Sequence, residues 1–212
     1  MKRAISLIVA ASQEAMYAAG VLYDLGLFSG VGANQDGSPD YDLDRAMTRA
    51  EAVTMLVRLL GKEDTAMAGT WDLPFTDVPD WAAPYVGYAV SRGLTNGVDE
   101  GVFGSSARVT ATQYLTFLLR ALGYSSETDF QWNAAWTLTD SLGITAGQYG
   151  PRSAFLRSDA VLVSRNALLV SLKDSERTLL STLKLKNGQS RADAARRLYP
   201  PEPLAEEDPG LG

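Results

Sequence analysis

The stretch Pro74–Tyr124, PFTDVPDWAAPYVGYAVSRGLTNGVDEGVFGSSARVTATQYLTFLLRALGY, is the one from which the rest of the chain can be read. Ala82, Val86, Ala89 and Val90 are spaced as one face of a helix. Gly93 follows where a helix would end on a left-handed glycine. A Gly- and Ser-rich loop then runs from Asn96 to Arg108. Thr110, with Gln113 three residues on, has the pattern of a capping box at the start of a second helix. Leu115, Leu118, Leu119 and Leu122 keep the three-four spacing of a buried stripe. The unit reads helix, loop, helix.

Laid over the residues before it, the same unit recurs. Gly26-Leu27 and Gly30 match Gly93-Leu94 and Gly97, and Thr48 matches Thr110. Val53, Leu56, Val57, Leu60 and Arg58 match Leu115, Leu118, Leu119, Leu122 and Arg120. Thr48 and Glu51 repeat the capping box, and an Asp-rich insertion lies between Gly37 and Arg45. A third, degraded copy follows. It keeps Gly143-Ile144 and Gly147, and sets Leu156-Arg157-Ser158-Asp159 against Thr48-Arg49-Ala50-Glu51, but Ser164 and Arg165 interrupt its stripe. The expected organisation is all-α: copies at 13–64, 72–125 and 126–172, preceded by a signal-like stretch at 1–12 and followed by a C-terminal helix and flexible tail at 173–212. Lys173 to Leu183 is expected as one further helix, Arg191 to Arg197 as a basic, solvated helix face, and Pro200 to Gly212 as a flexible end.

Composition limits the chemistry. The 212 residues include no histidine and no cysteine. That excludes a Ser-His-Asp triad, a thiol nucleophile, the common zinc sites and disulfides. A net charge of -6 gives no general attraction for nucleic acid or an anionic membrane, so an acidic ligand needs a local basic spot. Lys2 and Arg3 followed by the apolar run Ala4 to Ala11 have the order of an export signal, although the run is short. No later stretch is long and apolar enough to span a bilayer.

Phe75-Thr-Asp77-Val78, Trp81-Ala82, Gly93-Leu94, Gly97, Gly101-Val-Phe103 and the neighbouring Thr48-Arg49-Ala50-Glu51 resemble the S-layer homology family, over roughly Gln13 to Val170. The resemblance implies three helix-loop-helix repeats in a pseudo-threefold bundle. It also implies a secreted module, bound to the wall or S-layer, whose inter-repeat grooves hold an acidic secondary cell-wall polysaccharide, often pyruvylated. No cofactor, metal, nucleic acid or membrane insertion is implied, and the cargo is left unnamed. The pattern is broken in places. The first copy has no F-x-D-V, its equivalent falling around Ile8 and Ala10. The second has Ala111 in place of the arginine. The third has Trp132 and Trp136 without a matching Asp-Val.

The candidate binding residues are Arg49, Asp77, Trp81, Asn96, Gly97 and Arg157. Arg49 and Arg157 stand just inside helix starts, where a guanidinium fork and free backbone amides both favour a carboxylate; the alternative is a surface charge or a cap salt bridge. Trp81 is a rigid plate for a sugar face, or ordinary packing. Asp77 is a sugar-hydroxyl acceptor, or a cap before Asp80-Trp81. Asn96 and Gly97 lie in the loop, with turn chemistry as the alternative. The expected principal site joins Arg49 to Asp77 and Trp81 across two copies. Asp40, Asp42, Asp44 and Glu51 have calcium-loop spacing, but Arg45 occupies the position that needs glycine. Two other functions compete: a structural or self-assembling envelope module, and a two-carboxylate glycosidase, for which no paired acids in a shared setting are visible.

Overall fold

The computed structural model describes residues 2–151, 153–185 and 189–198, with residues 2–12 described by their backbone only. It is mostly helical. In chain order the elements are α1 (Lys2–Asp24), the strands β1 (Gly32–Ala33) and β2 (Pro39–Asp40), α2 (Arg49–Leu59), α3 (Glu63–Ala68), α4 (Ala83–Ser91), α5 (Ala111–Ala121), a 3-10 turn (Trp132–Ala134), α6 (Ala135–Ser141), α7 (Arg157–Leu168), α8 (Leu179–Thr182) and α9 (Arg191–Leu198).

α2, α5 and α7 carry the buried stripes. Val53, Leu56 and Val57 of α2, Leu115, Leu118 and Leu119 of α5, and Val161 and Leu168 of α7 are all inaccessible to solvent. α5 touches both α2 and α7. Each of the three is also covered by another helix: α4 packs on α2, α6 on α5 and α1 on α7. The interrupting Ser164 does not break the core, because its hydroxyl pairs with that of the fully buried Tyr114 at 2.8 Å. A buried polar group with a partner costs little.

Both sequence-predicted capping boxes form. Thr48 accepts from the Glu51 amide and Thr110 from the Gln113 amide, while the two side chains reach back to the cap amides. α7 begins on Leu156 with only half of such a box: the Asp159 carboxylate accepts from the Leu156 amide at 2.7 Å. Gly26, Gly93 and Gly143 each end a helix at a φ near +70°.

Before and within the Asp-rich insertion, β1 and β2 make a short antiparallel pair, closed by the Asn34 amide donating to the Ser38 carbonyl and by Asp36 accepting from Ser38. Two expectations are corrected. Residues 173–183 are not one helix. Asp174 has a φ of +54°, Ser171 bridges Thr178, and only the four residues of α8 are helical. The basic stretch is helical, as α9, but it is docked rather than fully solvated. Ala194 and Leu198 are buried, and the Arg197 carbonyl accepts from Tyr17 on α1 at 2.9 Å. The side chains of the signal-like segment and the tail from Pro200 onward lie outside the described residues. No described helix is long and apolar enough to cross a membrane.

Leu118 has no exposed surface at the centre of this packing. Leu118→Ala is expected to lower the unfolding free energy by about 2–5 kcal/mol in a urea titration, with little change in m-value.

Candidate functional site

Arg49 is 5% exposed although it begins a helix. Its backbone amide donates to the Ala107 carbonyl at 2.8 Å, and that of Ala50 to the Ser105 carbonyl at 3.2 Å. Its side chain reaches the same neighbouring loop. Nε donates to the Phe103 carbonyl at 3.0 Å, and Nη2 donates to the Thr95 hydroxyl at 3.1 Å and the Asn96 carbonyl. The guanidinium lies over the rings of Phe103 and Phe117.

Arg157 repeats the arrangement against a different loop. Its amide donates to the Arg45 carbonyl and that of Ser158 to the Leu43 carbonyl. Its Nε donates to the Tyr41 carbonyl at 2.9 Å, its Nη2 to the Ser29 carbonyl at 3.3 Å, and its guanidinium lies over Phe28. Both arginines are therefore bolts between distant parts of the chain, engaged with carbonyls rather than with carboxylates.

Each bolt forms the floor of a groove. One groove is lined by Arg157, Ser29, Gly30, Val31, Glu51, Thr54, Met55, Arg58 and Trp81. The other is lined by Arg49, Asn96, Gly97, Val98, Gln113, Thr116, Phe117, Arg120 and Trp132. The two correspond position by position. A helix offers residues 51, 54, 55 and 58 in one and 113, 116, 117 and 120 in the other. A loop offers 29–31 in one and 96–98 in the other. An exposed indole, Trp81 or Trp132, stands at each rim, at 53% and 63% exposure. The cavities measure about 160 and 440 Å³.

The expected grouping of Arg49, Asp77 and Trp81 is thereby corrected. Arg49 shares its groove with Trp132, and Trp81 shares its groove with Arg157. The exchange follows from chain order, since the indole precedes α4, which packs on α2, while Arg49 points from α2 toward the next loop. Asp77 lines neither groove. Its carboxylate accepts from the amides of Phe103, Gly104 and Ser105 at 2.7, 2.8 and 2.9 Å. Desolvation acts to raise its pKa, but these amides outweigh it and hold the carboxyl below its ordinary value. Asn96 and Gly97 do line the Trp132 groove. Gly97 is required by backbone packing: a Cβ there would sit 2.5 Å from Phe75 and 2.7 Å from the Val102 carbonyl oxygen. Gly30 is confined in the same way by the Asp40 carbonyl.

Sequence reasoning passed over Trp132, Arg120 and Gln113. The signal was present in the match of Arg58 to Arg120 and of Glu51 to Gln113. What was missing was which loop each helix faces. The calcium-like spacing is occupied otherwise: Asp42 and Glu51 both bind Arg45, and Glu51 also holds the Thr48 amide.

At the remaining matching positions of the sequence these residues are replaced. Ala111 stands where the bolt would be, and Asn166, which donates to the Ile144 carbonyl, stands in the place of Arg58 and Arg120. Glu14 stands twelve residues before Gly26, as Trp81 does before Gly93, and pairs with Arg165 at 2.7 Å.

Comparison with known proteins places one of these loops in a known family. Residues 74–110, the loop that receives Arg49 together with the helix before it, match the S-layer homology domain. The chain carries an S-layer homology domain. Relatives extend the likeness beyond those residues. A cell surface protein of Thermoanaerobacter kivui is 34% identical over 75% of the chain. A middle cell wall protein of Brevibacillus brevis is 31% identical, and a surface layer protein of Brevibacillus choshinensis 30% identical, each over 71%. The matches cover 21%, 14% and 13% of those proteins, so the chain spans about a fifth or less of their length.

Two variants test the local roles within the domain. Arg49→Ala leaves two carbonyls and a buried hydroxyl without their donor. It is expected to cost about 2–4 kcal/mol of stability by chemical denaturation. Asp77→Asn is expected to lower the melting temperature at pH 7. A carboxyl with a depressed folded pKa stabilises above its unfolded pKa and loses that contribution as pH falls through the folded value. The difference between the two proteins should therefore narrow in thermal melts as pH is lowered through and below the ordinary carboxylate range.

Proposed function

We propose that the chain is a non-catalytic anchoring module that holds a cell-envelope protein to the wall by taking an acidic wall polysaccharide into the grooves beside Trp81 and Trp132. The observation that carries this reading is the recurrence of one groove design, with a buried arginine floor, a glycine lip and an exposed indole, at two places on an otherwise acidic protein. An indole held in the open at a groove rim offers a flat apolar face to sugar C–H groups and a free N–H to a hydroxyl. Guanidinium groups at the floor offer charge to an acidic substituent.

The same reading makes the chain three copies in a ring with pseudo-threefold symmetry, at 13–64, 72–125 and 126–172. Three facts support it. The covering helices follow one order, α4 on α2, α6 on α5 and α1 on α7. The amides at 49–50 and 157–158 dock on equivalent loop carbonyls. Two of the three junctions carry the groove residues. The third lacks the arginine, the indole and the second cation, so two grooves per chain are functional. The protein is secreted and associated with the wall or surface layer, as fits an S-layer homology domain and relatives named for those places.

The test is co-sedimentation with peptidoglycan sacculi, before and after their attached polysaccharide is stripped. Stripping is expected to abolish binding. Trp132→Ala and Trp81→Ala are each expected to weaken it by up to about tenfold, taking the ring contact as worth about 0.5–1.5 kcal/mol, as between aromatic rings. Undiminished binding to stripped sacculi would reject the reading.

A further inference from the structure

The two grooves share a scaffold but differ in how their charges are satisfied. In the Trp81 groove, Arg58 is fully engaged. Nε donates to Glu63 at 2.9 Å, Nη1 to the Ser29 hydroxyl at 2.6 Å, and Nη2 to the Tyr85 hydroxyl at 3.3 Å. The groove also contains a carboxylate, Glu51, which both Nη atoms of Arg45 hold at 2.8 and 3.0 Å. Of the two lining cations Arg58 has an ion pair and Arg157 does not, and an anion entering here would meet Glu51.

The Trp132 groove has the opposite balance. The position of Glu51 is taken by the neutral Gln113. Among the described residues, Arg120 makes one side-chain hydrogen bond, Nη2 to the Ser126 hydroxyl at 2.9 Å, and Arg49 leaves Nη1 without an acceptor. Neither arginine takes part in a salt bridge among the described residues. Asp77 and Glu127 attract them from outside the groove, but Asp77 is engaged with three amides. Burial, and then the charge of Arg120, push Arg49 down to about 10 despite Asp77. Two guanidinium groups in one groove, without a lining carboxylate, are stabilised by an anion bound between them.

We propose that the Trp132 groove selects a sugar bearing an anionic substituent, a carboxylate or a phosphate, that the Trp81 groove takes an uncharged sugar face, and that Gln113 and Arg120 set the difference. The proposal rests on the reading of the grooves as glycan sites and adds which chemistry each one takes. Gln113 is the cleanest determinant. Glutamate at the matching position of α2 completes the same capping box, so Gln113→Glu keeps the helix start while placing a carboxylate beside Arg49 and Arg120.

The experiment follows the indole N–H resonances by NMR, with Trp81 and Trp132 assigned through Trp81→Phe and Trp132→Phe. Three probes are titrated: a methyl hexoside carrying a cyclic carboxylate ketal, its neutral methyl ester, and a hexose 6-phosphate. The expected result is that the carboxylate, the phosphate or both move Trp132 at concentrations at least about tenfold below those needed at Trp81, while the ester shows no such preference. The stronger of the two acids names the substituent. Gln113→Glu and Arg120→Gln should each weaken the response of Trp132 to the acids by more than its response to the ester, so that the preference is lost. Sugars that move both indoles without a preference of acids for Trp132 would overturn the inequivalence alone. Probes that move neither indole would overturn the inequivalence together with the glycan reading.

Discussion

The structure depends on a buried guanidinium that crosses from the start of one helix to the carbonyls of a loop far away in sequence. Arg49 does this for the loop at 95–107, and Arg157 for the loop at 29–45. A helix-loop-helix unit of this size has too little apolar surface to be stable alone, so its surroundings must come from other units. Apolar stripes can slide against one another. A planar fork with fixed donor directions cannot, so the bolt sets the register at which the stripes meet. The flanking backbone bonds from residues 49–50 and 157–158 reinforce that register at the same points.

This arrangement explains why a groove accompanies each bolt. The arginine draws the loop toward the helix start, the glycine at 30 or 97 lets the loop backbone close on itself, and the following covering helix brings an indole to the opposite rim. The other two tryptophans show the contrast. Trp71 donates to the Ala66 carbonyl and stacks edge-on with Tyr88, and Trp136 packs against the core. Only the indoles at the groove rims are left open among the four.

Much of the fold was legible because it is written in local signals. The capping boxes at Thr48 and Thr110, the glycines at 26, 93 and 143 and the three-four stripes are all set by nearest neighbours along the chain, and each reappears in the structure. The failures have a common cause in longer range. Residues 173–183 have helical composition, but Lys173 is held by Asp129 and its amide by the Leu122 carbonyl, and these contacts bend the chain away. The site was legible as a set of residue types and not as a set of neighbours. Arg49, Trp81, Asn96 and Gly97 were singled out for their chemistry, and all line grooves. Which arginine faces which indole depends on which covering helix packs on which buried helix, and no local pattern encodes that. Asp77 was read as a sugar-hydroxyl acceptor, or as a helix cap before Asp80-Trp81, for a related reason: the loop at 103–105 whose amides it holds is distant in sequence.

The walls of each groove come from separate stretches of chain. In the larger one they are Arg49 from α2, residues 96–98 from the loop, residues 113–120 from α5, and Trp132 from the turn before α6. A molecule lodged there touches all four at once. Parting these stretches would strip it from at least one wall, so occupancy and integrity are thermodynamically linked, and the occupied domain is harder to unfold than the empty one. On the anchoring reading proposed above, this has a practical result: a grip that strengthens the clasp holding it resists being prised open while it is in use.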